Sequence, residues 1–222
     1  MSPALTFFKW ELKIIFRTGG ALVNVLGFYT IFVLLFPIGL SLKNDNLSDM
    51  APTILWVGSL LSVLITLDRF FIPDSEDGSL EYLTLSSLPM ETIILIKMIG
   101  HWITTGLPLT LLSPLFALTL NLPMHSYGWL TLSLLIGTSS LSCIGAIGAS
   151  LTLSVRRGSL LVALIIIPLY LPTLISGIKL IEFSIIGENV LSPFLMLVAI
   201  TLFSLATAPF ISALAIRTHW KY

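Results

Sequence analysis

Nothing constrains this chain more than the length of its apolar runs. A bilayer core about 30 Å thick is crossed by about 20 helical residues at ~1.5 Å each. Six stretches reach that length: Gly20–Leu42, Ala51–Phe71, Ile93–Leu122, Gly128–Ser154, Ser159–Leu180 and Leu191–Arg217. In lipid every backbone polar group must be satisfied within the protein, so runs of this kind are expected to be helices. The third and fourth exceed what a perpendicular crossing needs, and tilt or kinks are expected there. Composition agrees. Of the 222 residues, 56% are hydrophobic and only 10% charged, where a soluble domain carries about 25%. Mean hydropathy is +1.02. The fold class expected is an all-α integral membrane protein, with residues 1–222 forming one transmembrane domain. No cleaved leader is expected, because charges run through the residues before the first span and that span is longer than a signal core of ~7–15 residues.

Lysine and arginine give the direction of insertion. With the N-terminus in the cytoplasm, Lys9, Lys13, Arg17, Arg69, Lys97, Arg156, Arg157, Arg217 and Lys221 lie inside, and only Lys43 and Lys179 lie outside. Six spans then return the C-terminus to the cytoplasm. Residues 1–19 are too charged to cross. Leu5, Phe8, Leu12 and Ile15 share one helical face, and Lys9, Lys13 and Arg17 recur on another. A basic amphipathic helix of this kind lies in the headgroup plane. It is expected to be an elbow helix docked beside the bundle, though a purely topological anchor would show the same pattern.

Several functions are excluded. Net charge is zero, which gives nucleic acid nothing to bind. No lysine is followed by serine or threonine, so the chain lacks a phosphate-binding loop ending in Lys-Ser/Thr. The single cysteine, Cys143, rules out an internal disulfide or a multi-cysteine metal site. His-Glu-x-x-His and Gly-x-Ser-x-Gly motifs are absent. No catalytic constellation and no metal site is expected. His125 falls in a short outer loop, where solvation competes with a peripheral haem or metal contact. His101 lies one helical turn beyond Lys97 in the third span. Ionisable groups at that depth are functional candidates, so Lys97 and His101 are candidates for a gate or a haem contact. For His101, packing and hydrogen bonding are the favoured account. Midplane charges of the kind that serve ion-coupled transport are not evident, so the bundle is expected to be powered from elsewhere.

Small residues and prolines punctuate the spans. Gly106, Pro108 and Pro114 fall in the third, and Pro168 and Pro172 in the fifth. These are candidate hinges or static bends. In the fourth, Ser142 with Ala146 and Gly145 with Ala149 form small-xxx-small pairs. Such pairs admit a close helix, either within one bundle or across a homodimer.

Residues 72–91 join the second and third spans. Asp74, Glu76, Asp77, Glu81 and Glu91 gather five of the eleven acidic residues in and around this segment. Asp74, Ser75 and Asp77 offer N-cap oxygens, and Pro89 blocks continuation. Leu80 and Leu83 share a face of the short helix expected to follow Gly78. Such a helix can tuck against the bundle, or dock in the groove of a soluble partner through its acids and leucines.

The stretches "MAPTILWVGSLLSVLITLDRFF", "DGSLEYLTLSSLP", "KMIGHWITTGLPLTLLSPL", "IGAIGASLTLSVRRGSLLVALIIIPLYLP" and "TAPFISALAIR" resemble the cytochrome c maturation protein B family (CcmB, haem exporter protein B), the permease subunit of an ATP-binding-cassette complex. The resemblance covers essentially the whole chain. "GSLEYL…LP" alone is also similar to the wider six-span ABC-2 exporters, so export of a lipid or polysaccharide stands as the alternative. The resemblance implies that residues 72–91 are a coupling segment, with Asp74, Glu76, Asp77, Gly78, Leu80, Glu81 and Leu83 meeting a separate CcmA-like ATPase that binds the ATP. It further implies a permease homodimer in the bacterial inner membrane, with CcmC-like and CcmD-like membrane proteins and a CcmE-like periplasmic haem chaperone. Haem is then cargo rather than a bound cofactor. The family's name implies a conduit for haem. The residues favour a lever that releases the loaded chaperone, because no row of basic or ligating groups lines a path through the spans.

Overall fold

The computed structural model describes residues 3–18, 20–40, 47–86, 88–153 and 158–219. Lys43, Arg156, Arg157 and Lys221, used above for orientation, lie outside them. The described residues form ten α-helices: α1 Pro3–Thr18, α2 Gly20–Leu40, α3 Leu47–Leu64, α4 Ile72–Glu76, α5 Ser79–Thr84, α6 Met90–Thr104, α7 Gly106–Thr119, α8 Tyr127–Leu151, α9 Gly158–Ile186 and α10 Leu191–His219. Six spans long and apolar enough to cross a membrane emerge: Leu22–Gly39, Leu47–Glu76, Met90–Thr119, Met124–Leu151, Leu164–Ile186 and Leu191–Thr218. The protein is an all-α multi-pass membrane protein.

Burial divides these spans. In the second and fourth, 67% of the apolar window is buried, against 22% in the first and 28% in the last. So α3 and α8 form the centre, while α2 and α10 turn Val23, Ile31, Leu35, Phe203, Phe210 and Leu214 outward. An apolar surface on the outside is stable only against lipid.

Trp56 organises the centre. Its indole is fully buried and lies against Gly137 of α8 and Gly177 of α9, where an added Cβ would fall within the ring. Its Nε1–H donates to Ser133 Oγ at 3.3 Å. The absence of a side chain at both glycines therefore sets how closely α3, α8 and α9 approach. Nearby, Ser140 Oγ lies 3.2 Å from Thr173 Oγ1 and 3.4 Å from Ser204 Oγ, which joins α8 to α9 and α10. Ser142, Gly145, Ala146 and Ala149 are all buried. A Cβ on Gly145 would come within 2.9 Å of the Tyr170 hydroxyl, which donates to the Leu141 carbonyl at 2.7 Å. The small-xxx-small pairs thus pack one bundle internally.

The third span breaks between its two halves. Thr105 has φ −120° and ψ −64°, and α6 ends before it. Pro108 lies in the first turn of α7, where its missing N–H has no intrahelical partner to lose. The hydroxyls of Thr104 and Thr105 bond the carbonyls of Gly100 and His101 at 2.9 and 2.6 Å. Gly106 lets α7 close on α8, since a Cβ there would lie 2.6 Å from Thr138 Oγ1. Elsewhere helices run on through their prolines: α7 through Pro114, α9 through Pro168 and Pro172. Ser176 Oγ also bonds the Pro172 carbonyl at 2.7 Å, one turn back along α9.

Where one short helix was expected after the second span there are two, α4 and α5. Gly78 stands between them at φ +77°. That left-handed conformation suits glycine and separates the two helices. The Ser79 N–H, freed at the start of α5, donates to Asp77 Oδ1 at 2.8 Å. Hydrogen bonding from Ser79 holds the Asp77 carboxyl below its ordinary range.

Candidate functional site

Three elements meet at Lys97. The amphipathic helix α1 packs along α6 and turns Glu11 inward, and α4 brings Asp74 from the other side. Lys97 Nζ lies 2.8 Å from Glu11 Oε1 and 2.7 Å from Asp74 Oδ2, with only 4% of the lysine side chain exposed. An ammonium so placed is held by paired, hydrogen-bonded charges, which is what burial of a charge requires. Asp74 is fixed further by Ser79, whose hydroxyl lies 3.2 Å from Asp74 Oδ1. One lysine therefore ties α1, α6 and the α4–α5 segment together. The bundle thus carries a buried, paired charge, although the sequence made none evident at the midplane.

One turn further along α6, His101 is buried and fully engaged. Phe70 stacks on its ring. The Thr66 hydroxyl donates to the Val63 carbonyl at 2.8 Å and so accepts from His101 Nε2 at 3.0 Å. Ser142 Oγ lies 3.0 Å from Nδ1. A neutral ring protonated on Nε2, accepting from Ser142, satisfies all of these contacts. Glu11, Thr66, Arg69, Asp74, Lys97 and His101 line a cavity of about 300 Å³.

The other expected site residues separate into two faces. Leu80 is fully buried against the bundle and Leu83 is half-buried. With Asp74 committed to Lys97, these placements correct the expectation that all three face a partner. Glu76, Asp77 and Glu81 remain exposed. Tyr82 and Leu85, not singled out from sequence, are 78% and 84% exposed. Glu91, at the start of α6, pairs with Arg217 of α10 at 3.0 Å. At the opposite end, His125 Nε2 donates to the Ser184 carbonyl at 3.1 Å. Among the described residues no cluster of side chains is suited to a metal ion. Glu11 is the residue that sequence reasoning missed. Its signal was that it is the lone acid among residues 1–19.

The family model described as "CcmB protein" matches residues 2–219 of this chain. The chain belongs to the CcmB family. Among the relatives of this CcmB chain are proteins named "Heme exporter protein B". That of Paracoccus denitrificans is 46% identical over 211 residues, covering 95% of this chain and 97% of the relative. That of Pseudomonas aeruginosa is 41% identical over 207 residues, 93% of each. That of Escherichia coli K12 is 37% identical over 210 residues, 95% of this chain and 96% of the relative. The family match, over residues 2–219, spans α1, the α4–α5 segment and all six spans.

Proposed function

We propose that this CcmB-family chain is the permease subunit of an ATP-driven haem-export complex for c-type cytochrome biogenesis, and that it works as a lever. It spans the bacterial inner membrane with both termini cytoplasmic. A separate ATPase subunit docks on the α4–α5 segment, and a haem-handling membrane protein and a periplasmic haem chaperone complete the chemistry. The permease itself is non-catalytic and acts as a homodimer.

The observation that carries the lever is the Lys97 clamp. Movement of the α4–α5 segment pulls Asp74, and Lys97 passes the displacement to α6 and, through Glu11, to α1. Buried ion pairs resist separation, since parting them leaves a charge uncompensated in a medium of low dielectric. The ATPase meets Tyr82 and Leu85, with Glu76 and Glu81 beside them for basic residues on its groove. A lever also fits the histidines. His101 has both ring nitrogens occupied and His125 has Nε2 on a carbonyl, so neither offers that nitrogen to iron without breaking an existing bond.

The test is the complex isolated in mild detergent with the parent chain or Lys97→Met. In the variant the ATPase stays bound and hydrolyses ATP, but the haem-loaded chaperone is not released. Normal release from the variant would overturn the lever. Failure of the parent to retain any ATPase, under conditions that preserve related complexes, would overturn the permease role.

A further inference from the structure

The cavity beside the clamp contains a cation that the clamp does not use. Arg69 lines it, and none of the ion pairs among the described residues involves Arg69. Its guanidinium has an amide neighbour instead. In the orientation that satisfies both its ends, Asn24 accepts from Arg69 Nη2 at 3.3 Å and donates to the Gly20 carbonyl at 3.3 Å. Gly20 opens α2, and a Cβ there would sit 3.7 Å from Arg69 Nη1. Arg69, which makes no ion pair among the described residues, therefore stands between the first turn of α2 and the cavity that it lines.

The cavity has a floor and a mouth. Glu11, Lys97 and His101 are buried, while Ile14, Arg69 and Pro73 are exposed. The mouth opens where the amphipathic α1 meets the bundle, the level at which such a helix meets lipid headgroups. We propose that this cavity seats the headgroup of a membrane phospholipid, its phosphate on Arg69, its acyl chains leaving past Ile14. The proposal rests on the membrane placement of α1 given above.

Guanidinium and phosphate match in geometry and charge. Basic pockets between spans on the cytoplasmic side take lipid headgroups by this chemistry. The lining narrows the class further. It carries two cations and two carboxylates, and both carboxylates already share Lys97. A second anionic group would meet Glu11 and Asp74, whereas an ammonium following the phosphate would complement them. The headgroup is thus zwitterionic, a phosphate bearing a primary ammonium. Seated there, it would touch α1, α4 and α6 together, the elements that the clamp connects.

The test uses the intact complex in mild detergent and native mass spectrometry. The parent retains an aminophospholipid, and Arg69→Gln retains about tenfold less, the scale of losing one charge-assisted contact. Arg69→Lys retains an intermediate amount. Equal retention by the parent and Arg69→Gln overturns the site. In a second arm the parent complex is stripped of lipid and its melting followed with phosphatidylethanolamine, phosphatidylglycerol or inorganic phosphate. Recovery only with phosphatidylethanolamine supports the proposal, and this arm decides alone should the Arg69 variants fail to assemble. Equal recovery with phosphate alone overturns a lipid source, and preference for phosphatidylglycerol overturns the zwitterion. Loss of the ATPase from the complex bears on the permease role and not on lipid retention, so the two readings fail separately.

Discussion

Phe70 lies over His101 with ring centroids 4.3 Å apart and planes within 24° of parallel. The stack closes the histidine between the turn that follows α3 and the side of α8 that carries Ser142. His101 is thereby a connector of three spans. Replacing it with leucine leaves the Ser142 hydroxyl without its ring acceptor, at about 1–3 kcal/mol for a buried group left unsatisfied, while Thr66 keeps its bond to the Val63 carbonyl. We expect His101→Leu to lower the melting temperature of the purified complex while its haem content, read from the Soret band, stays unchanged. A fall in haem without a fall in stability would make His101 a haem contact.

The clamp makes a prediction about non-additivity. Lys97→Met alone strands Glu11 and Asp74 as buried like charges, a change on the order of 3–5 kcal/mol. Combining it with Glu11→Gln and Asp74→Asn removes those charges too. The triple variant is therefore expected to be more stable than Lys97→Met alone, although it lacks more of the native contacts. Thermal denaturation in detergent measures both. A triple variant weaker than the single would mean that the carboxylates are held by something besides Lys97.

At the centre, Gly137→Ala puts a methyl group into the Trp56 ring. Overpacking of this kind costs about 1–3 kcal/mol. Gly27, on α2, has nothing within 4 Å of an added Cβ, and alanine there should be neutral or stabilising by up to about 1 kcal/mol through helix propensity. Folded yield and melting temperature should fall for Gly137→Ala and hold or rise for Gly27→Ala.

The α4–α5 segment has an inner and an outer face, which substitutions can separate. Leu80→Ser places a hydroxyl where no part of the residue is exposed, and it should lower stability. Tyr82→Ser with Leu85→Ser changes only exposed surface, so stability should hold while recovery of the ATPase in a pull-down falls. Undiminished recovery would remove both residues from the docking face.

Much of this architecture was legible in the sequence because membranes restrict the solutions so severely. Apolar length alone located six spans, since a continuous apolar run of about 20 residues satisfies its own backbone in lipid as a helix. The break near Gly106 and Pro108 was signalled by residues whose local chemistry disfavours a continuous helix. The partners of Lys97 were not legible. Glu11 is 86 positions away, and no periodicity links an acid on an interfacial helix to a lysine in the third span. The leucines of α5 misled for a related reason. Helical spacing places Leu80 and Leu83 on a common face, but it does not say whether the bundle or a partner covers that face. The turn at Gly78 decides this, and a left-handed glycine cannot be told from an ordinary one by its letter.

The interruption at Thr105 has a mechanical consequence. A continuous helix transmits rotation along its full length, whereas a jointed one can swing its inner rod while the outer rod stays in register. The inner rod here is α6, 15 residues or about 22 Å at ~1.5 Å per residue, and it carries Lys97 near its midpoint. A pull applied through that lysine acts on a crank with its pivot near the middle of the membrane. Trp102 and His101, just before that joint, tie the rod to α8 through Thr138 and Ser142, so a swing of α6 is carried sideways into the central helix instead of along the third span.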